Sequence, residues 1–181
     1  GSRGADGAKP LSPTPPLATP KANGGPAPAR GARRSVSLYA ESSAILAWLL
    51  DEPDGAFVRQ ALSEAEIVVA SDLTLIECDR VLHRATALGE LTEAEAADRR
   101  AHLATASAHW HVLRIGAEVV DRARQPFPGD PIRTLDAIHL ASVLVARSAV
   151  AGLQLLSLDE RIRAVARKLG LTLLPDDSRR S

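Results

Sequence analysis

The chain has 181 residues, with 22 Lys/Arg, 22 Asp/Glu, one cysteine and no methionine. A single cysteine excludes an intramolecular disulfide and a Cys-rich zinc site, and the five histidines show no HExxH or CxxC-type spacing, which leaves oxygen ligands for any metal chemistry. The charge balance hides an asymmetry: residues 1–34 carry six Lys/Arg and one acid, Asp6, leaving 16 basic and 21 acidic residues beyond them, unlike the basic body of a general nucleic-acid coat protein.

Residues 1–34 read as a basic leader rich in Pro, Ala and Gly, holding seven of the twelve prolines, with too little apolar surface to offset its ordering entropy. It is expected to be disordered. The opening Gly1-Ser2 reads as a scar of tag removal. From Ser35 the pattern becomes regular. Residues 35–40 predict a buried strand, and an apolar helix over 42–51 stops at Pro53. A short helix over 54–65 precedes a strand at 67–70 and a helix over 72–88 that ends at Gly89. Thr92 then caps a helix running to His109, with Glu95 placed for a capping box. Residues 110–114 predict a strand. Gly116 opens a helix that Pro126 and Pro128 terminate, and a helix over 133–149 follows. A strand at 153–157, a helix over 159–169 and a last strand at 171–174 complete the chain.

Five strands alternating with about seven helices predict an α/β fold of three layers, α/β/α, with a central, mostly parallel five-stranded sheet over 35–181. No apolar run reaches the roughly 18–20 residues needed to span a bilayer, and no signal peptide is visible, so the expected compartment is the cytoplasm.

In open sheets of this type the functional crevice lies at the carboxyl ends of the strands. Four acids fall there. Glu41 follows the first strand directly, Glu77 lies in the first two turns of helix 72–88, Asp136 in the first turn of helix 133–149, and Asp159 two residues past the fourth strand. Hard divalent cations want such oxygen ligands. Clustered carboxylates also repel unless a cation compensates them. Singly, Asp136 and Asp159 read equally well as helix caps or dipole partners. Glu77 shares its helix with Leu73, Leu75, Ile76 and Val81, and Glu41 sits between apolar segments where an unpaired charge is costly. Jointly the four predict one metal site. No Ser-His-Asp arrangement or phosphate-cradling Gly-rich loop appears.

Four ordered motifs resemble the PIN domain, specifically the VapC-like toxins of bacterial toxin–antitoxin pairs, over essentially 35–176. They are Tyr39-Ala40-Glu41-Ser42-Ser43-Ala44, Ser71 through Leu82 around Glu77, Leu135-Asp136-Ala137-Ile138-His139-Leu140-Ala141, and Leu156-Ser157-Leu158-Asp159. The resemblance implies an endoribonuclease dependent on Mg²⁺ or Mn²⁺, usually dimeric, and held inactive by a small VapB-like antitoxin. It carries the metal-site role to Glu41, Glu77, Asp136 and Asp159, and a supporting hydroxyl role to Ser43 and Ser157. Arg80 and Arg84, one and two turns beyond Glu77, are each able to meet a scissile phosphate; pairing with helix-surface acids is the plainer role, above all for Arg84.

One position departs from the pattern. The family's first acid is ordinarily Asp, and the extra methylene of Glu41 moves the carboxylate by about 1.5 Å, enough to alter a site of demanding octahedral geometry. A second reading follows, a catalytically weak PIN-fold module that binds RNA or a partner. A third takes the acids as mere caps in an unrelated α/β protein. His139, one turn after Asp136, reads first as a packed histidine and second as a residue near the site. Cys78 and Trp48 read as packing residues, Trp48 also as a dimer contact, and His109 and His111 as surface or packing residues.

Overall fold

The computed structural model describes residues 36–129, 131–176 and 178. The expected leader, residues 1–34, lies outside the described residues.

Among the described residues five strands form one sheet in the order β3-β2-β1-β4-β5: β1 (Ser37–Ala40), β2 (Ile67–Ser71), β3 (His111–Leu113), β4 (Gln154–Leu156) and β5 (Leu173–Leu174). Every pairing is parallel, so the expected mostly parallel sheet is wholly so. The described residues also form seven helices, which connect the strands: α1 (Ser42–Leu49), α2 (Gly55–Glu64), α3 (Asp72–Ala87), α4 (Glu93–Ser107), α5 (Ala117–Ala123), α6 (Thr134–Ala149) and α7 (Glu160–Lys168).

Side-chain alternation explains the three layers. Successive strand residues point to opposite faces, and both faces are apolar, as a parallel sheet covered on both sides requires. Tyr39, paired with Val69 and Leu155, joins Leu140, Val143, Ile162 and Val165 in a core under α5, α6 and α7. The neighbouring residues face the other way. Ala40 and Val68 pack with Ile45, Leu49, Cys78 and Leu103 of α1, α3 and α4, while Leu38 and Leu156 meet Ala44 and Val58 of α1 and α2.

The helix ends follow local chemistry. The Thr92/Glu95 capping box forms as expected, with the Thr92 N–H donating to Glu95 Oε2 at 2.8 Å and the Glu95 N–H to Thr92 Oγ1 at 3.2 Å. Helix α1 stops at Leu49, short of Pro53, because Asp51 adopts a left-handed conformation (φ 54°) that ends the helical path first. A Cβ on Gly55 would lie 2.5 Å from the Ala47 carbonyl oxygen, so the close turn of α2 against α1 requires glycine. Strands β3, β4 and β5 are each shorter than the runs expected at 110–114, 153–157 and 171–174. Among the described residues no helix is long and apolar enough to cross a membrane.

Candidate functional site

The sheet order reverses between β1 and β4, and the chain leaves both strands at the same carboxyl edge. A cleft of about 1000 Å³ opens there. All four acids predicted from the sequence line it: Glu41, Glu77, Asp136 and Asp159. Each owes its position to a junction. Glu41 is the N-cap of α1, Asp159 the N-cap of α7, Asp136 lies in the first turn of α6, and Glu77 one turn into α3. The cap reading therefore holds for Glu41 and Asp159, and does not remove them from the cleft. Asp159 Oδ1 accepts the Arg161 N–H at 2.8 Å while the residue lines the same cavity.

The four are not equivalent. Glu41 is 2% exposed and accepts from Ser42 Oγ (2.7 Å), the Ser43 N–H (3.1 Å), Ser157 Oγ (2.8 Å) and Ser43 Oγ. Ser43 and Ser157, the hydroxyls the resemblance placed beside the acids, both donate to it. Glu77 Oε2 lies 2.6 Å from both Ser42 Oγ and His139 Nε2. Burial pushes the Glu77 carboxyl up, but the hydrogen bonds from His139 and Ser42 and the charge His139 can carry outweigh it, leaving the group below its ordinary value.

Asp136 behaves in the opposite way. Burial and the negative charge of Asp159 raise its pKa, and the nearby Arg133, Arg161 and His139 offset this only in part. Mutual repulsion between two cleft carboxylates is what a divalent cation relieves. Tyr39, behind Glu41 on β1, is pushed up to about 12 by burial. Burial and the neighbouring acids carry the Cys78 thiol far above its usual range. Neither group exchanges protons near neutral pH.

Arg80, His83 and Arg84 form an exposed basic stripe along the α3 wall of the cleft, with Leu46, Leu73, Ile76, Leu135 and Ile162 supplying its apolar surface. Arg80 thus shares the cavity with the acids, and so does Arg84. Trp48 packs half-buried between α1 and its neighbours, Cys78 is fully buried in the core, and His109 and His111 are exposed.

One feature escaped sequence reasoning, and another was only its lesser reading. Ser42 bridges Glu41 and Glu77, and His139 belongs to the site as well as the core: its Nε2, Glu41 and Glu77 offer three ligand atoms within 4.8 Å of one another. The signal for His139 was its position one turn after Asp136 on α6. Arg163, fully buried, donates to the carbonyls of Ser157 (3.0 Å) and Pro175 (2.8 Å), tying the exits of β4 and β5 together below the cleft.

A parallel sheet in this order with acids gathered at its carboxyl edge defines the class, and comparison agrees: the chain belongs to the PIN domain family, whose sequence model matches residues 38–178. Within that family it is VapC-like. It is 34% identical to Ribonuclease VapC46 of Mycobacterium tuberculosis over 138 residues, covering 76% of this chain and 96% of that protein. The fold is also that of two solved structures. VapC20 of M. tuberculosis, described as a sarcin-ricin loop cleaving toxin, superposes with a TM-score of 0.51 at 15% identity, covering 71% of this chain and 94% of that one. VapBC2 of Rickettsia felis, bound to a DNA fragment from its promoter, gives 0.50 at 11% identity over 75% and 96%.

Proposed function

We propose that residues 35–181 form a metal-dependent endoribonuclease, the toxin of a toxin–antitoxin pair, hydrolysing RNA phosphodiesters in the cytoplasm. The observation that carries this reading is the meeting of four carboxylates in one cleft, two of them, Asp136 and Asp159, repelling each other. The donor set fits a hard divalent cation, Mg²⁺ or Mn²⁺, since carboxylate oxygens dominate it and no thiolate enters. Glu41, Glu77, Asp136 and Asp159 make up the acidic site that we assign to one or two such ions. When bound, an ion of this kind lowers the pKa of a water and neutralises charge on a phosphodiester.

The chain's own residues do the rest. Ser43 and Ser157 hold Glu41, His139 and Ser42 hold Glu77, and Arg80 offers a guanidinium to a phosphate at the cleft wall. The similarity to Ribonuclease VapC46 supports both the activity and a VapB-like antitoxin as partner. An acid-floored, apolar-walled cleft suits a partner segment carrying an Arg between apolar side chains. A homodimer is part of the same proposal.

Purified protein given Mn²⁺ and mixed tRNA or rRNA should cleave it, and Asp136→Asn protein should not. Equal cleavage by the two overturns the assignment. The hydrogen bonds that hold Glu41 within its own chain favour a second reading, a weak module that binds RNA or a partner with little turnover. A large rise in activity in Glu41→Asp protein would favour that reading.

A further inference from the structure

We infer that Glu41 is a positioning residue, held by its own chain, that fixes the turn carrying Asp159 and leaves Glu77, Asp136 and Asp159 as the carboxylates open to a cation. The inference rests on the metal reading above for its consequence, though its geometry stands without it.

The hydrogen-bond directions are determined almost completely. Ser43 Oγ accepts the backbone N–H of Leu158 at 2.8 Å and of Asp159 at 3.0 Å, so both lone pairs are used and its single proton goes to Glu41 Oε2. Ser157 Oγ accepts the Asp159 N–H at 3.3 Å and donates to the same oxygen at 2.8 Å. Glu41 Oε1 takes the Ser43 N–H, a fixed donor, at 3.1 Å. Only Ser42 has a choice. Its one proton is shared between Glu41 Oε1 at 2.7 Å and Glu77 Oε2 at 2.6 Å.

A carboxylate offers about four lone-pair sites; three of those on Glu41 take fixed donors of its own chain, and the fourth, on Oε1, faces the proton that Ser42 shares with Glu77. The extra methylene, about 1.5 Å of reach, allows an N-cap side chain of α1 to meet Ser157 at the end of β4 while still capping its helix. One buried group thereby joins β1, α1 and the β4–α7 turn. Through Ser43 it sets the backbone amide of Asp159, and so the direction in which that acid leaves the sheet.

Glu41→Gln is the discriminating substitution because it preserves shape and reverses polarity at one atom. An amide NH₂ in place of Oε1 faces the Ser43 N–H, which cannot turn. In place of Oε2 it faces a Ser43 hydroxyl whose acceptor sites are taken. Either orientation breaks the knot.

The test uses the full chain, with amide hydrogen exchange measured by NMR on metal-free protein and Mn²⁺ binding measured by calorimetry. In Glu41→Gln and Ser43→Ala proteins the Leu158 and Asp159 amides should exchange at least about tenfold faster relative to those of α6, and Ser43→Thr should restore protection. Mn²⁺ affinity should fall roughly 10–100-fold, as for a residue that orients ligands, and recover with Ser43→Thr. Loss of Mn²⁺ binding in Glu41→Gln protein with unchanged exchange at 158 and 159 would make Glu41 a ligand and overturn the inference. Should Glu41→Gln fail to fold, Ser157→Ala removes one donor and keeps the carboxylate. Because Ser157 Oγ also accepts the Asp159 N–H, the readout is Leu158, where faster exchange supports the inference and unchanged exchange overturns it. Wild-type protein that binds no Mn²⁺ overturns the metal reading, while the exchange experiment still decides the role of Glu41.

Discussion

His139 Nε2 lies 2.6 Å from Glu77 Oε2, with the imidazole 2% exposed and the carboxylate 23% exposed. The contact joins α6 to α3 across the floor of the cleft. Burial raises the Glu77 pKa; the hydrogen bonds and charge around it reverse the sign, leaving it below its ordinary 4.5. A depressed folded pKa means stability that is fully present above the unfolded value and lost as pH falls through the folded one. His139→Leu removes the largest lowering influence, so Glu77 should titrate higher, the stability it contributes at neutral pH should shrink, and less of it should be lost as pH falls. Melting temperatures of metal-free wild type and variant between pH 3 and 7 check this, and superimposable pH profiles would contradict it.

Much of this site was legible in the sequence because its acids stand at strand-to-helix junctions, where position along the chain dictates position in space. Glu41 and Asp159 needed only the ends of β1 and β4, and Asp136 only the start of α6. Ser42 and His139 were harder to read. Their roles depend on which side chains of α1, α3 and α6 converge across the cleft, a matter of rotamer and helix packing that no single period records. Arg163 was hidden for a related reason: a charged residue on α7 reads as surface, whereas the carbonyls of Ser157 and Pro175 become its partners only after β4 and β5 pair.

Asp136 supplies a prediction of opposite sign. Burial, then the charge of Asp159, raises its carboxyl above the ordinary 3.8. A raised folded pKa contributes stability that is present below the unfolded value and lost as pH rises through the folded one. At neutral pH the charged group is therefore a cost to the metal-free protein. Asp136→Asn should raise the metal-free melting temperature at pH 7, by about 2–4 °C for each kcal/mol relieved, while abolishing the further rise produced by Mn²⁺. Thermal melts with and without the ion measure both effects. A lower metal-free melting temperature would assign Asp136 a structural role instead.

Arg163 should prove among the most sensitive positions in the fold. Its guanidinium is fully buried and donates to two carbonyls at the exits of β4 and β5. Arg163→Met fills similar volume and leaves both acceptors unsatisfied, at on the order of 1–3 kcal/mol each. Arg163→Lys should recover only part of the loss, because a single ammonium lacks the planar fork that reaches two acceptors at once. Urea denaturation midpoints for the two variants test the order; equal stability of all three proteins would rule out the tie.

The basic stripe on α3 predicts how RNA affinity depends on salt. Arg80 is exposed, lines the same cleft as Glu77 and lies about one turn beyond it, so a phosphate entering the cleft would pass within its reach. A guanidinium that neutralises one phosphate releases counterions, and the slope of log affinity against log salt falls by about 0.7 per contact for single strands and 0.9 for duplex. Arg80→Ala should therefore lower that slope by about one contact and weaken binding most at low salt, without changing the metal-free melting temperature by more than a surface substitution does. Binding is best followed with Asp136→Asn as the background, which prevents cleavage under the proposed mechanism. An unchanged slope would assign Arg80 to the helix surface, and the same measurement on Arg84→Ala would show whether the phosphate path continues one turn further along α3.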